Sequence, residues 1–282
     1  MLHQMSSEAY HAETAQEFAN VPHLSASIGK ILISKTPYHA WRAHPKLGNA
    51  EREEKEVFDI GSAAHDLLLE GTSARICVIE ADDWRTKAAK EAREEARSKG
   101  LRPILAKHNA ALNKMVETAR KFVAGSEVAG VFDKGAAEQT AIWQAGDVHC
   151  KARFDWLTAD GSMILDYKTT DYISPEFCTR QVERMGYDFQ EAFYRRALQK
   201  TEGVNPLFVF LFQATSEPYD CLLVGCAPSL HEIAAANVQR AIRIWGECLA
   251  TNTWPGYGGR VHWAEASAWK LSQYEQSLME EE

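Results

Sequence analysis

Asp166 and Lys168 stand two residues apart in the segment SMILDYKTT. In an extended strand that spacing points both side chains to one face and turns Tyr167 to the other. Asp155 lies eleven residues before Asp166, at the end of VHCKARFD. That stretch alternates, with Val148, Cys150, Ala152 and Phe154 on one side and His149, Lys151, Arg153 and Asp155 on the other. Asp160-Gly161 supplies a turn between the two segments, so an antiparallel hairpin would bring Asp155 across from Asp166. Two carboxylates and an ammonium then share a small volume, where the carboxylates repel unless a cation joins them. Mg²⁺ or Mn²⁺ suits such oxygens, and Mg²⁺ commonly takes one or two carboxylates and keeps several waters. An ion held there lowers the pKa of bound water, polarises a phosphoryl oxygen and orients in-line attack. Free lysine titrates at about 10.4, so Lys168 is better suited to orienting the attack and offsetting charge than to removing a proton. Against this stands a plainer reading, a surface ion pair on a hairpin, which contributes little.

The elements that must carry these residues are legible from periodicity. Residues 25–41 read as one or two short helices, interrupted at Thr36-Pro37. Residues 58–69 read as a helix with Ile60, Ala64, Leu67 and Leu68 inward and Gly71 as its stop. Residues 83–99 and 104–124 read as two more, the first largely solvated. Helical spacing returns over 174–185 and 188–202, and two strand-like runs, PLFVFLFQ and YDCLLVGC, flank Glu217-Pro218. A long amphipathic helix over 229–251 follows. The order is helices, a small sheet, helices, two strands and a helix, which is a mixed α/β chain. The expected division is a polar leader over 1–23, one domain over 24–263 and an acidic tail over 264–282.

Composition fits a globular protein of 282 residues, 45% hydrophobic and 25% charged. The longest apolar run, Leu207 to Phe212, is far below the roughly 20 residues of a membrane helix, and the N-terminus lacks the pattern of a secretory signal, so a soluble cytoplasmic protein is expected. Six cysteines without a C-x-x-C pair fit neither a zinc ribbon nor a disulfide framework. A net charge of −8 argues by itself against a polyanionic partner, yet residues 85–121 hold eleven Lys/Arg against four Asp/Glu. A local basic surface therefore remains available. No P-loop, dinucleotide fingerprint or nucleophile elbow is present, and His11-Ala12-Glu13 lacks the cysteine half of a deaminase signature.

An ordered set of segments resembles the PD-(D/E)XK nuclease superfamily, and within it the group of bacterial recombination exonucleases of the exonuclease VIII type and helicase-nuclease domains. The set comprises HLSASIGKIL with TPYHAW, GSAAH, KARFDWL, ILDYKTT and FQEAFY, with WPGY as a softer match. The resemblance implies a restriction-endonuclease-like core, a central mixed sheet flanked by helices. It implies that His65, Asp155, Asp166 and the Tyr167 carbonyl hold Mg²⁺, with Mn²⁺ as a substitute, and that Lys168 is the catalytic lysine. Glu138 takes the place of an acid beside the metal, and Gln190 and Tyr194, one helical turn apart, would support the site. A histidine on an apolar helix, or a Gln and Tyr beside Phe189 and Phe193, also reads simply as core. Ser25, Ser27 and Lys30 at a helix start are candidates for a 5′-phosphate pocket, and Arg153 for a DNA contact. The grouped cysteines of an iron–sulfur cluster are missing, so none is expected. The implied activity is digestion of linear double-stranded DNA from 5′ ends, leaving 3′ tails for a single-strand annealing protein. The implied assembly is a ring-shaped homo-oligomer, a trimer or tetramer, around DNA. The alternatives are an endonuclease or single-strand nuclease of a repair complex, and a non-catalytic DNA-binding scaffold.

Overall fold

The computed structural model describes residues 2–48 and 59–280. The chain opens with β1 (Leu2–Gln4), α1 (Ser7–Ala12), a 3-10 turn, α2 (Ala26–Ser34) and α3 (Pro37–Ala43). Next come α4 (Asp59–His65), which runs into a π-helical turn at Asp66–Glu70, then β2 (Ile76–Ile79), α5 (Lys87–Ser98), β3 (Arg102–Leu105) and α6 (Ala106–Ala124). The strands β4 (Gly135–Ala145), β5 (Val148–Thr158) and β6 (Met163–Thr170) precede α7 (Pro175–Arg184) and α8 (Tyr187–Thr201). The chain finishes with β7 (Leu207–Ala214), β8 (Cys221–Val224), α9 (Pro228–Thr251) and α10 (Ala268–Glu280).

Six strands form one mixed sheet in the order β1-β4-β5-β6-β7-β8. All neighbours are antiparallel except β6 and β7, which run parallel because α7 and α8 cross over between them. Helices cover both faces, which explains why β7 reads as an unbroken apolar run. Phe208, Phe210 and Phe212 pack with α2, α8 and α9, where Phe193 and Trp245 are fully buried. Val209 and Leu211 pack on the opposite face with α4 and α6, against Leu112 and Met115. This is the α/β architecture anticipated for the core, with the mixed sheet between helical layers. Among the described residues no helix is long and apolar enough to cross a membrane.

The structure departs from the sequence reading at both ends and in the middle. Residues 2–23, within the stretch expected to be a polar leader, join the fold: β1 pairs with β4 through Leu2↔Ala141, and Tyr10 and Phe18 are buried. A three-residue strand and a six-residue helix are too short to show a period. The tail expected over 264–282 carries α10, which exposes Trp269 and Tyr274. β2 and β3 form a separate parallel pair, β2 ahead of the helix read over 83–99 and β3 between it and the helix read over 104–124. Phe58, the expected start of the second helix, lies outside the described residues.

Candidate metal centre

β4 and β5 pair in constant register from Gly135↔Thr158 to Ala145↔Val148, with one interruption. Ala137 meets Trp156 and Gln139 meets Phe154, but Glu138 and Asp155 between them form no bridge. Glu138 has φ 61, the left-handed region that costs a non-glycine residue about 1–2 kcal/mol. Its effect is visible in the packing: Phe154 joins the core under α8, whereas Trp156, two residues on, joins the opposite core. Both strands thus change face at one point, and the two carboxylates emerge there together.

His65 meets them from α4. Gly61, one turn earlier, brings that helix against β6 so closely that a Cβ would lie 2.5 Å from Thr169 Oγ1. His65 Nε2 is 3.3 Å from Asp155 Oδ2, and Nδ1 is 3.7 Å from Glu138 Oε1. One ligand atom from each of His65, Glu138 and Asp155 lies within 4.8 Å of the others.

β5 and β6 pair only at Trp156↔Leu165 and Leu157↔Ile164. Beyond that point the Tyr167 amide donates to Asp155 Oδ2 at 3.0 Å, which satisfies a donor the ladder has left. On the other face of β6, Asp166 is fully buried. Its Oδ2 accepts from Gln190 Nε2 at 2.6 Å, while Oδ1 pairs with the Lys168 ammonium. Lys168 Nζ sits 4.9 Å from the centroid of the Tyr187 ring, and Lys30 Nζ 5.5 Å from the same centroid. Gly186, at φ 63 just ahead of α8, makes this possible, since a Cβ there would meet Lys30 Cδ at 2.8 Å.

The charges follow from this placement. Burial opposes ionisation of Asp155, but His65, Lys168 and the Tyr167 amide outweigh it and hold the carboxyl at about 2. Burial and the neighbouring Asp155 push Asp166 up to about 6 against the pull of Lys168. Burial also works against the Lys168 ammonium, yet Asp166 and Asp155 prevail and raise it. Lys168 is therefore held in its charged form. Glu138 is raised, mainly by burial, although Arg153 pairs with it.

The cleft above these groups encloses about 730 Å³. His65, Glu138, Asp155, Tyr167, Lys168, Arg153 and Tyr194 line it, so seven of the residues singled out in the sequence converge. Asp166 and Gln190 lie behind Lys168. The described contacts of Tyr167 give the site its amide, and its phenol points away to Gln213. Tyr194 sits edge-on to Phe154 and is almost wholly buried. Arg153, expected on DNA, is engaged by Glu138. Ser25 and Ser27 are not in the cleft: Ser25 caps α2, accepting from the Ile28 amide at 3.4 Å, and its hydroxyl meets that of Ser27 at 3.0 Å. The cap adjoins the Leu24–Cys150 bridge, five residues along β5 from Asp155, which removes it from the metal centre. Only Lys30, further along α2, comes near. Sequence reasoning missed Tyr187, although it begins the helix that carries Gln190, and it missed the buried Asp66 next to His65.

The donor set suits a divalent ion: two carboxylates and an imidazole converge. Residues 30–266 match the family described as PDDEXK-like domain of unknown function (DUF3799), and the chain belongs to that family. Among solved structures, a proposed exonuclease from Eubacterium rectale aligns at TM-score 0.58 with 16% identity, over 96% of this chain and 98% of that one. It shares the fold. The structure of SSO0001 aligns at TM-score 0.29 with 10% identity, over 69% of this chain and 88% of the other, too distant to bear on the matter. No curated protein matches the sequence.

Proposed function

We propose that the protein is a divalent-metal-dependent exodeoxyribonuclease that digests linear double-stranded DNA. The observation that carries this reading is the convergence of His65, Glu138 and Asp155 beside a fixed Lys168 ammonium in one cleft. Those three side chains would hold the ion, and the resemblance adds the Asp166 carboxylate, which pairs with Lys168. Mg²⁺, or Mn²⁺ in its place, would activate water and polarise the scissile phosphate. Lys168 lies where it can stabilise negative charge growing on phosphorus, and such a preplaced donor loses little to reorganisation. Gln190 holds Asp166, and Asp166 holds Lys168, so both act on the ammonium's position. The relative's description as a proposed exonuclease supports attack at ends. The resemblance to recombination exonucleases extends the proposal to 5′-to-3′ digestion, a ring-shaped homo-oligomer and a partner that anneals the 3′ tails.

The test compares end-labelled linear duplex with a covalently closed circle of the same sequence, in Mg²⁺ and in EDTA. Linear DNA should be consumed from its 5′ label in Mg²⁺ only, with the circle intact. Cleavage of the circle would replace the exonuclease by an endonuclease, and hydrolysis in EDTA would remove the metal from the account.

A further inference from the structure

The same cleft has a second wall, built by Arg75 just ahead of β2, by β3 and by the segment entering α5, that the chemistry above does not use. Its base is Asp66, one residue past His65, which the π-helical turn carries inward until it is 3% exposed. Asp66 Oδ2 lies 3.5 Å from Nε of both Arg75 and Arg102 and accepts no hydrogen bond, so it holds the two guanidinium groups by charge. Arg75 is further engaged by Glu70. Arg102 pairs with no other acid among the described residues, its side chain is 37% exposed, and it faces the cleft. A guanidinium tethered through Nε keeps its outer NH₂ fork for an incoming acceptor, the geometry that suits a phosphate bidentately. Trp84 lines the same cleft, and the Arg93 guanidinium lies 5.2 Å from its ring centroid, which pins the indole in place.

A held arginine and a held indole facing a metal centre match one strand of nucleic acid, since an unpaired base stacks on an aromatic ring while its phosphate meets the guanidinium. His65 Nδ1 is 3.9 Å from Asp66 Oδ1, so the arginine wall begins one side chain from the ligands.

We propose that Arg102 and Trp84 form a subsite gripping a single separated DNA strand next to the metal centre, Arg102 on a backbone phosphate and Trp84 on a base. The proposal rests on the nuclease reading and adds that the end must open before it is cut.

Binding of a fluorescent five-nucleotide DNA strand, in Ca²⁺ in place of Mg²⁺, tests it with the full-length protein. Arg102→Gln and Trp84→Ala should each weaken binding about ten-fold, and Arg102→Gln should also flatten the dependence of log affinity on log salt by about 0.7, the loss of one phosphate contact on a single strand. In Mg²⁺, both should raise KM with kcat nearly unchanged, and the wild type should favour an end with a frayed 5′ flap over a blunt one. If Arg102→Gln lowers the melting temperature, Arg102→Lys keeps the charge beside Asp66 and should still lose most of the affinity, because the fork is gone. Unchanged affinity, salt slope and KM in a folded Arg102 variant and in Trp84→Ala would overturn the subsite while leaving the nuclease reading intact. A wild-type protein that hydrolyses no DNA at all would overturn the reading beneath it.

Discussion

Replacing Lys168 by Met should lower the rate of DNA hydrolysis by about 10²–10³-fold with duplex binding in Ca²⁺ preserved, the size of effect seen when one preplaced donor to developing charge is removed. Methionine keeps most of the stem, and the Asp166 carboxyl left behind, already raised to about 6, can take a proton instead of remaining a buried unpaired anion. The fold should therefore survive and the loss should appear in kcat. Were Lys168 only half of a structural ion pair, the same substitution would shift the melting temperature and spare the rate. Steady-state kinetics and thermal melting of one variant separate the two.

Asp155→Asn should weaken divalent-ion binding by about 100-fold, the upper end of what disturbing a ligand's surroundings costs and a lower bound for losing a charged ligand. The proton balance gives this a second readout. Burial lowers the His65 pKa, but Asp155, Glu138 and Asp66 outweigh burial and the ring is raised above 6.5. A metal needs the neutral ring, so binding near neutral pH should release a proton and affinity should climb with pH until the raised pKa is passed, then level off. For the ion-free protein the sign is the reverse: the charged ring stabilises the fold fully below about 6.5, and that contribution fades as pH rises through the raised value. Asp155→Asn removes the nearest carboxylate, so proton release at pH 7 should shrink. Titration calorimetry in two buffers of different ionisation heat measures both quantities, and affinity and proton release equal to wild type would exclude Asp155 as a ligand.

Much of this site was legible because its residues sit in strongly periodic segments. The alternation of VHCKARFD and the two-residue spacing of Asp166 and Lys168 fixed the hairpin, and the i, i+4 spacing placed Gln190 and Tyr194 on one face of α8. Alternation also misled. Carried through Asp155 it predicts a straight strand with Asp155 opposite Asp166, whereas the left-handed backbone at Glu138 turns both strands and groups Asp155 with His65 and Glu138. Nothing in AEQTAIW marks a glutamate for positive φ, so the kink is a tertiary effect imposed on local preference. Arg102 and Trp84 were hidden for another reason: Trp84 falls at the start of a lysine- and arginine-rich stretch whose default reading is a solvated helix, and β3, which carries Arg102, is only four residues long. Ser25 did form a helix cap, as its type and position suggest, but a cap satisfies its own helix wherever that helix lies, and this one lies away from the cleft.

The claim on which the rest depends is that His65, Glu138 and Asp155 hold a divalent cation beside Lys168. Crystals grown with Mn²⁺ and measured at the manganese absorption edge test it directly. The account predicts an anomalous peak coordinated by those three side chains, lost in Asp155→Asn; a saturating Mn²⁺ soak that leaves this cluster without a peak, or places the ion elsewhere in the cleft, would contradict it.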